Sequence, residues 1–224
     1  MGNENRGYAH QGAPPDETMA RSPKAPEMTV GRAALLGLSR RYLAAVMDPF
    51  VTLLEIHKLM YFMQEAGEPL RLDYQKGPYG PYARNLRHVL NLMEGHFITG
   101  YGDAEDRPDL HIQIFPEALD QAEHFLAGRP ETLARFQRVV DLIAGYETPY
   151  GLELLAAVQW TAGREGAKTA DQAVDLTHAW NDRKKMFKEK HVRLAWETLA
   201  RKGWLQAART PDRPQPVFLP PSAP

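Results

Sequence analysis

The sequence predicts a mainly α fold: a compact multi-helix domain with a small winged-helix-like β-hairpin. Three observations carry this. Between Thr29 and Leu205, apolar residues recur mostly at three- and four-residue steps. Gly and Pro punctuate those runs at helix-like intervals. Only Leu110, Ile112 and Ile114 alternate clearly, and Phe97-Ile98 supplies a second short apolar run to pair with them.

The first helix is predicted over Val30–Met47, capped by Thr29, with Leu35, Leu38, Tyr42 and Ala45 on one face and Asp48-Pro49 as its stop. The central helix follows Thr52. Leu53, Ile56, Met60 and Met63 share a face, and Leu54, Leu59 and Phe62 widen it, so it packs on more than one side. Thr52 and Glu55 form a capping box, and Gly67 with Pro69 ends the element. Leu70–Tyr82 reads as extended chain with two tight turns, Gly77-Pro78 and Gly80-Pro81. Pro81 is placed at the first turn of the next helix, whose face is Leu86, Val89, Leu90 and Met93. After the hairpin, Pro116 and Pro130 open two helices, the second carrying Leu133, Phe136, Val140 and Ile143 inward. Further helices follow over Tyr150–Trp160, behind a second capping box at Thr169 and Gln172, and over His191–Arg201. Trp204 and Leu205 are expected to fold back onto the body. Residues 1–28 read as a polar, disordered leader, 29–209 as the functional domain, and 210–224 as a Pro-rich disordered tail.

The 224 residues suffice for one sizeable core, and 43% apolar with 25% charged residues is ordinary for a folded globular protein. The net charge of -1 argues against non-specific nucleic-acid binding, although a local patch stays open. The lack of cysteine removes disulfides, thiol nucleophiles and thiolate metal sites, and fits the cytoplasm. No run reaches membrane-spanning length, so no membrane partner is expected.

Motifs for dinucleotide, nucleoside triphosphate or zinc-protease chemistry are missing, and the eight histidines show no ligand spacing. Serine occurs only at Ser22, Ser39 and Ser222, none in a nucleophile elbow. The reading therefore assigns no catalytic residue, no metal and no cofactor. Two features invite a binding role, and a third is charged without one. Gly77, Pro78, Gly80 and Pro81 fix a rigid turn that carries Tyr79 and Tyr82, beside Lys76, Arg84 and Arg87; successive amides there can cradle an anion. Asp103, Glu105, Asp106 and Asp109 form an acidic loop within the hairpin. Arg183, Lys184, Lys185, Lys188 and Lys190 form a basic connector, read as solvated.

The central helix LLEIHKLMYFMQEAG, then KGPYGPYARN over Lys76–Asn85, AAVQW over Ala156–Trp160, HAWN over His178–Asn181 and HVRLAWETLARKGWL over His191–Leu205 resemble the C-terminal domain of the DarG antitoxins, in the Panacea or SocA-like group. That resemblance implies an antitoxin domain that binds a DarT-like DNA ADP-ribosyltransferase toxin and neutralises it by mimicking its single-stranded DNA. The resemblance carries over no residue roles; the acidic cluster Asp103, Glu105, Asp106 and Asp109, and then Tyr79, Tyr82 and Asn85 at the tight turn, are the toxin-binding candidates on their own residue pattern. The intact antitoxins carry an N-terminal macrodomain that removes ADP-ribose from DNA. Only the leader precedes Thr29 here, so this chain is expected to be no enzyme. Two alternatives stay open: a DNA-binding domain of winged-helix type, favoured by Arg84, Arg87 and His88 on the third helix, and a fragment of an enzyme that processes ADP-ribosylated DNA.

Overall fold

The computed structural model describes residues 24–102 and 107–205. Among these the chain is mainly helical, with short strands attached, as the periodicity predicts. Helix α1 spans Val30–Val46, and Thr29 caps it by accepting from the Arg32 amide. It ends at Met47, in the left-handed region at φ 54°, just before Asp48-Pro49. Its inward face is Leu35, Leu38 and Tyr42; Ala45, predicted on that face, is exposed because it falls in the last turn, beyond the packed part of the helix.

Strand β1 (Val51–Thr52) leads directly into α2 (Leu53–Glu65), the centre of the molecule. The capping box is formed: Thr52 Oγ1 accepts from the Glu55 amide, and Glu55 Oε2 accepts from the Thr52 amide at 2.6 Å. Glu55 also accepts the Tyr42 hydroxyl at 2.5 Å, tying α2 to α1. Every residue from Leu53 to Met63 is buried, because α1, α5 and α6 pack against this helix.

The Gly-Pro-Tyr stretch is a two-stranded hairpin, β2 (Tyr74–Gly77) with β3 (Gly80–Ala83), closed by the pair Gly77 and Gly80. Pro81 therefore lies in a strand, five residues before the start of α3 (Leu86–Met93), and not in the first helical turn. A ribbon of two strands has only edges, so the missing amide of a proline is tolerated. After α3, β4 (Ile98–Thr99) and β5 (His111–Ile114) make the expected antiparallel hairpin. β1 joins it to give the order β1-β5-β4.

Helices α4 (Pro116–Ala127) and α5 (Pro130–Ile143) each begin at proline. Leu133 is 38% exposed, so the inward line of α5 runs through Phe136, Val139 and Ile143 instead. α6 (Pro149–Gly163) is the second central helix, buried from Gly151 to Thr161. At α7 (Ala170–Trp180) Thr169 caps the helix, but Gln172 accepts from the Lys168 amide, one residue short of the predicted reciprocal bond. A 3₁₀ turn over Asp182–Met186 leads to α8 (Glu189–Arg201). Trp204 folds back, edge-on to Phe62 at 5.6 Å and beneath the Arg138 guanidinium at 4.5 Å. No helix among the described residues is long and apolar enough to cross a membrane.

Candidate functional site: the slot beneath the Gly-Pro-Tyr hairpin

Leu54, His57, Lys58 and Tyr61 are spaced i, i+3, i+4 and i+7, so they project from one face of α2. That face meets the hairpin. Tyr61 packs edge-on to Tyr74 at 5.0 Å, and His57 stacks on Tyr82 at 4.4 Å. Lys58, 2% exposed, donates to the Pro81 carbonyl at 2.7 Å. Between the helix and the hairpin lies a slot of about 210 Å³, lined mainly by Leu53, Leu54, His57, Lys58, Tyr79 and Tyr82.

The turn is constrained for reasons visible in the geometry. Gly80 has φ +99°, which side chains other than glycine rarely adopt. A Cβ at Gly77 would meet the Gly80 carbonyl oxygen at 3.1 Å and Tyr82 Cβ at 3.0 Å. The far side of the hairpin is held by the end of α7: Trp180 Nε1 donates to the Gly77 carbonyl at 3.0 Å, and Asn181 Nδ2 to the Pro78 carbonyl at 3.1 Å. Lys76 lies 4.6 Å from the Trp180 ring and pairs with Glu165 at 2.5 Å.

A buried ion cluster backs the slot. Lys184 is fully buried and donates to Glu153 Oε1 at 2.6 Å; Arg183 donates to Oε2 of the same carboxylate at 3.2 Å. The Nζ atoms of Lys58 and Lys184 each lie 3.6 Å from the point a Gly80 Cβ would occupy. Burial, and then the Lys184 charge, lower the Lys58 ammonium to about 7, with Glu153 opposing. Burial also lowers Lys184, against the pull of Glu153. Burial and then Lys58 lower His57 to about 3, so the imidazole is neutral across the physiological range. Its Nδ1 accepts the Ala83 amide at 3.5 Å, which puts the ring proton on Nε2.

Chemically, the slot offers apolar and aromatic walls, one ammonium that titrates near neutrality, and a neutral imidazole. No carboxylate is among the described residues that line it. Among the described residues, no group of three or more His, Cys, Asp or Glu could hold a metal ion.

The residues singled out in the sequence are placed as follows. Tyr79, Tyr82, Gly77, Pro78 and Gly80 line the slot, and Pro81 supplies the carbonyl that Lys58 binds. Asn85 is occupied within the fold: its Nδ2 donates to the Arg71 carbonyl at 2.9 Å and its Oδ1 accepts the Asp73 amide at 3.0 Å. Asp109 is exposed in the turn before β5. Asp103, Glu105 and Asp106 lie outside the described residues. The basic connector is not uniformly solvated, because Lys184 turns inward to Glu153. His57, Lys58 and Glu153 carry the site without being singled out, and Lys184 reads as solvated in the sequence. The available signal was a lysine and a histidine inside a helix apolar on nearly all sides.

No family model matches the chain. Curated proteins do. A DNA ADP-ribosyl glycohydrolase of Thermus aquaticus is 42% identical over 189 residues, which is 84% of this chain and 51% of that protein. DNA ADP-ribosyl glycohydrolases of Mycobacterium bovis and Mycobacterium tuberculosis are each 40% identical over 169 residues, 70% of this chain and 48% of theirs. The chain thus spans about half the length of the curated relatives it matches. These matches correct the reading of a separate, non-enzymatic antitoxin domain of the DarG, or Panacea, type. Most of the chain aligns with proteins named for an enzymatic activity on ADP-ribosylated DNA, not with a protein named as a toxin inhibitor or DNA mimic.

Proposed function

We propose that this chain works in the enzymatic processing of ADP-ribosylated DNA, as the substrate-engaging part of a DNA ADP-ribosyl glycohydrolase. The observation that carries this is 42% identity to such a protein across 84% of the chain. The slot supports it. Arg183 and Lys58 put positive charge beside an apolar, aromatic recess, which suits a ligand combining phosphates with planar rings. The cysteine-free composition suits a reducing compartment such as the cytoplasm, and supports this reading there.

The test uses a single-stranded oligodeoxynucleotide carrying one labelled ADP-ribose, beside the same strand unmodified. The chain is expected to retain the modified strand more tightly. Labelled ADP-ribose is followed in the same samples: release assigns bond cleavage to this chain, and retention without release assigns it to the other half of the relatives' length. Equal affinity for the two strands would overturn the proposal.

A further inference from the structure

We infer that the slot between α2 and the β2–β3 hairpin is a nucleobase site, taking one unstacked base against Tyr79 and Tyr82 with Lys58 at its inner end. This rests on the reading of ADP-ribosyl-DNA processing and names the part of the substrate the slot would hold.

Size gives the first argument. At about 210 Å³ the slot is smaller than the roughly 300–1,000 Å³ of pockets for drug-sized ligands, so it suits one planar ring system. Its walls give the second. Tyr79 and Tyr82 are half-buried and already fixed. The Arg183 guanidinium sits 4.4 Å from the Tyr79 ring, and His57 stacks on the Tyr82 ring at 4.4 Å. A base stacking there meets rings that need little further ordering. The polar groups give the third. Lys58 is buried with one hydrogen bond to Pro81, and an ammonium has three donors, so it can also serve ring carbonyl or ring nitrogen acceptors. A cation at the mouth gives the fourth: Arg183, partly exposed over the Tyr79 ring and bound on its other side to Glu153, stands where a phosphate of a base-bearing ligand would run. The base has two sources, the DNA strand or the adenine of ADP-ribose, and both share this chemistry.

The test is a ¹H–¹⁵N titration of the whole chain, with affinities measured in parallel. The ligands are a mixed-sequence single-stranded oligodeoxynucleotide, an abasic strand of equal length, and free ADP-ribose. The amides of Tyr79, Gly80 and Tyr82 are expected to shift with the base-containing strand or with ADP-ribose and not with the abasic strand; whichever shifts them identifies the source of the base. Tyr79→Leu, which keeps bulk and removes the aromatic face, should weaken that ligand about tenfold or more, the loss of one stacked base. Tyr79→Phe should bind as the parent does. An abasic strand that shifts the same amides, or no shift with any ligand, overturns the inference. So does Tyr79→Leu holding ADP-ribosylated DNA as tightly as the parent, and that result leaves the processing role intact. Base-dependent shifts with no preference for the ADP-ribosylated strand overturn the processing role and leave the base site.

Discussion

Replacing Lys58 with methionine should change stability with a sign that depends on pH. In the parent, the ammonium is held at about 7 against an ordinary 10.5. At about 1.4 kcal/mol per unit, that gap is worth about 5 kcal/mol. The folded state releases this proton more readily than the unfolded state. Below pH 7 both states are protonated, and the folded one carries the full cost of a buried charge. Between pH 7 and 10.5 the unfolded chain keeps a proton that the folded chain has lost, so parent stability rises with pH through this window. Methionine fills nearly the same volume without a charge. It leaves the Pro81 carbonyl without its 2.7 Å donor, a loss of about 1–3 kcal/mol at any pH. The charge term wins at pH 6, where Lys58→Met should be more stable by about 2–4 kcal/mol. By pH 10 about 4 kcal/mol of that advantage is gone, and the variant should be the less stable protein. Urea unfolding followed by tryptophan fluorescence at pH 6, 8 and 10 reads the difference. Titrating groups away from the slot act on both proteins and largely cancel; His57 and Lys184, which feel the Lys58 charge, lose that repulsion in the variant, which adds to its advantage where Lys58 is charged. Parallel stability curves, with a constant gap from pH 6 to 10, would refute the assignment of a buried, charge-strained lysine.

Gly80→Val should lower the melting temperature by about 4–10 °C, since φ +99° costs a β-branched residue about 2–3 kcal/mol in a domain of this size; an unchanged thermal scan would show that the turn is not constrained. Glu153→Gln should destabilise the protein by about 3–5 kcal/mol at pH 7, because it leaves the Lys184 ammonium buried without its carboxylate. Chemical denaturation measures it, and a loss below about 1 kcal/mol would mean that Lys184 finds another partner. Trp180→Phe keeps the ring and removes the bond to the Gly77 carbonyl. Amide exchange across Tyr74–Ala83 should then accelerate about tenfold, the equivalent of about 1.4 kcal/mol, and unchanged protection would show that the clamp is not tightened there.

What could be read from the sequence was local. The Thr52–Glu55 box spans three residues, and proline opens α4 and α5 at the positions its fixed φ favours. The breadth of apolar residues in α2 identified the centre of the fold. What escaped was set by contacts between distant residues. Lys58 meets Pro81 across 23 positions, and Lys184 meets Glu153 across 31, so neither pairing leaves a pattern in a short window. β1 has only two residues, too few for a periodic signal. Pro81 was misplaced because proline marks helix starts far more often than strands, and only a two-stranded ribbon with open edges relaxes that rule. Of the candidate site, Tyr79, Tyr82 and the glycines that shape their turn were legible. The buried charges behind them were not, since a lysine in a charged run reads as solvated until the fold turns it inward.

The most direct measurement is the affinity of the chain for ADP-ribosylated against unmodified single-stranded DNA, with Lys58→Met and Tyr79→Leu beside the parent. The processing role predicts tighter binding of the modified strand by the parent, and the base site predicts weakening about tenfold or more in Tyr79→Leu. Lys58→Met should bind more weakly too, despite its greater stability at pH 6. Equal affinity for the two strands, unmoved by either substitution, would contradict both.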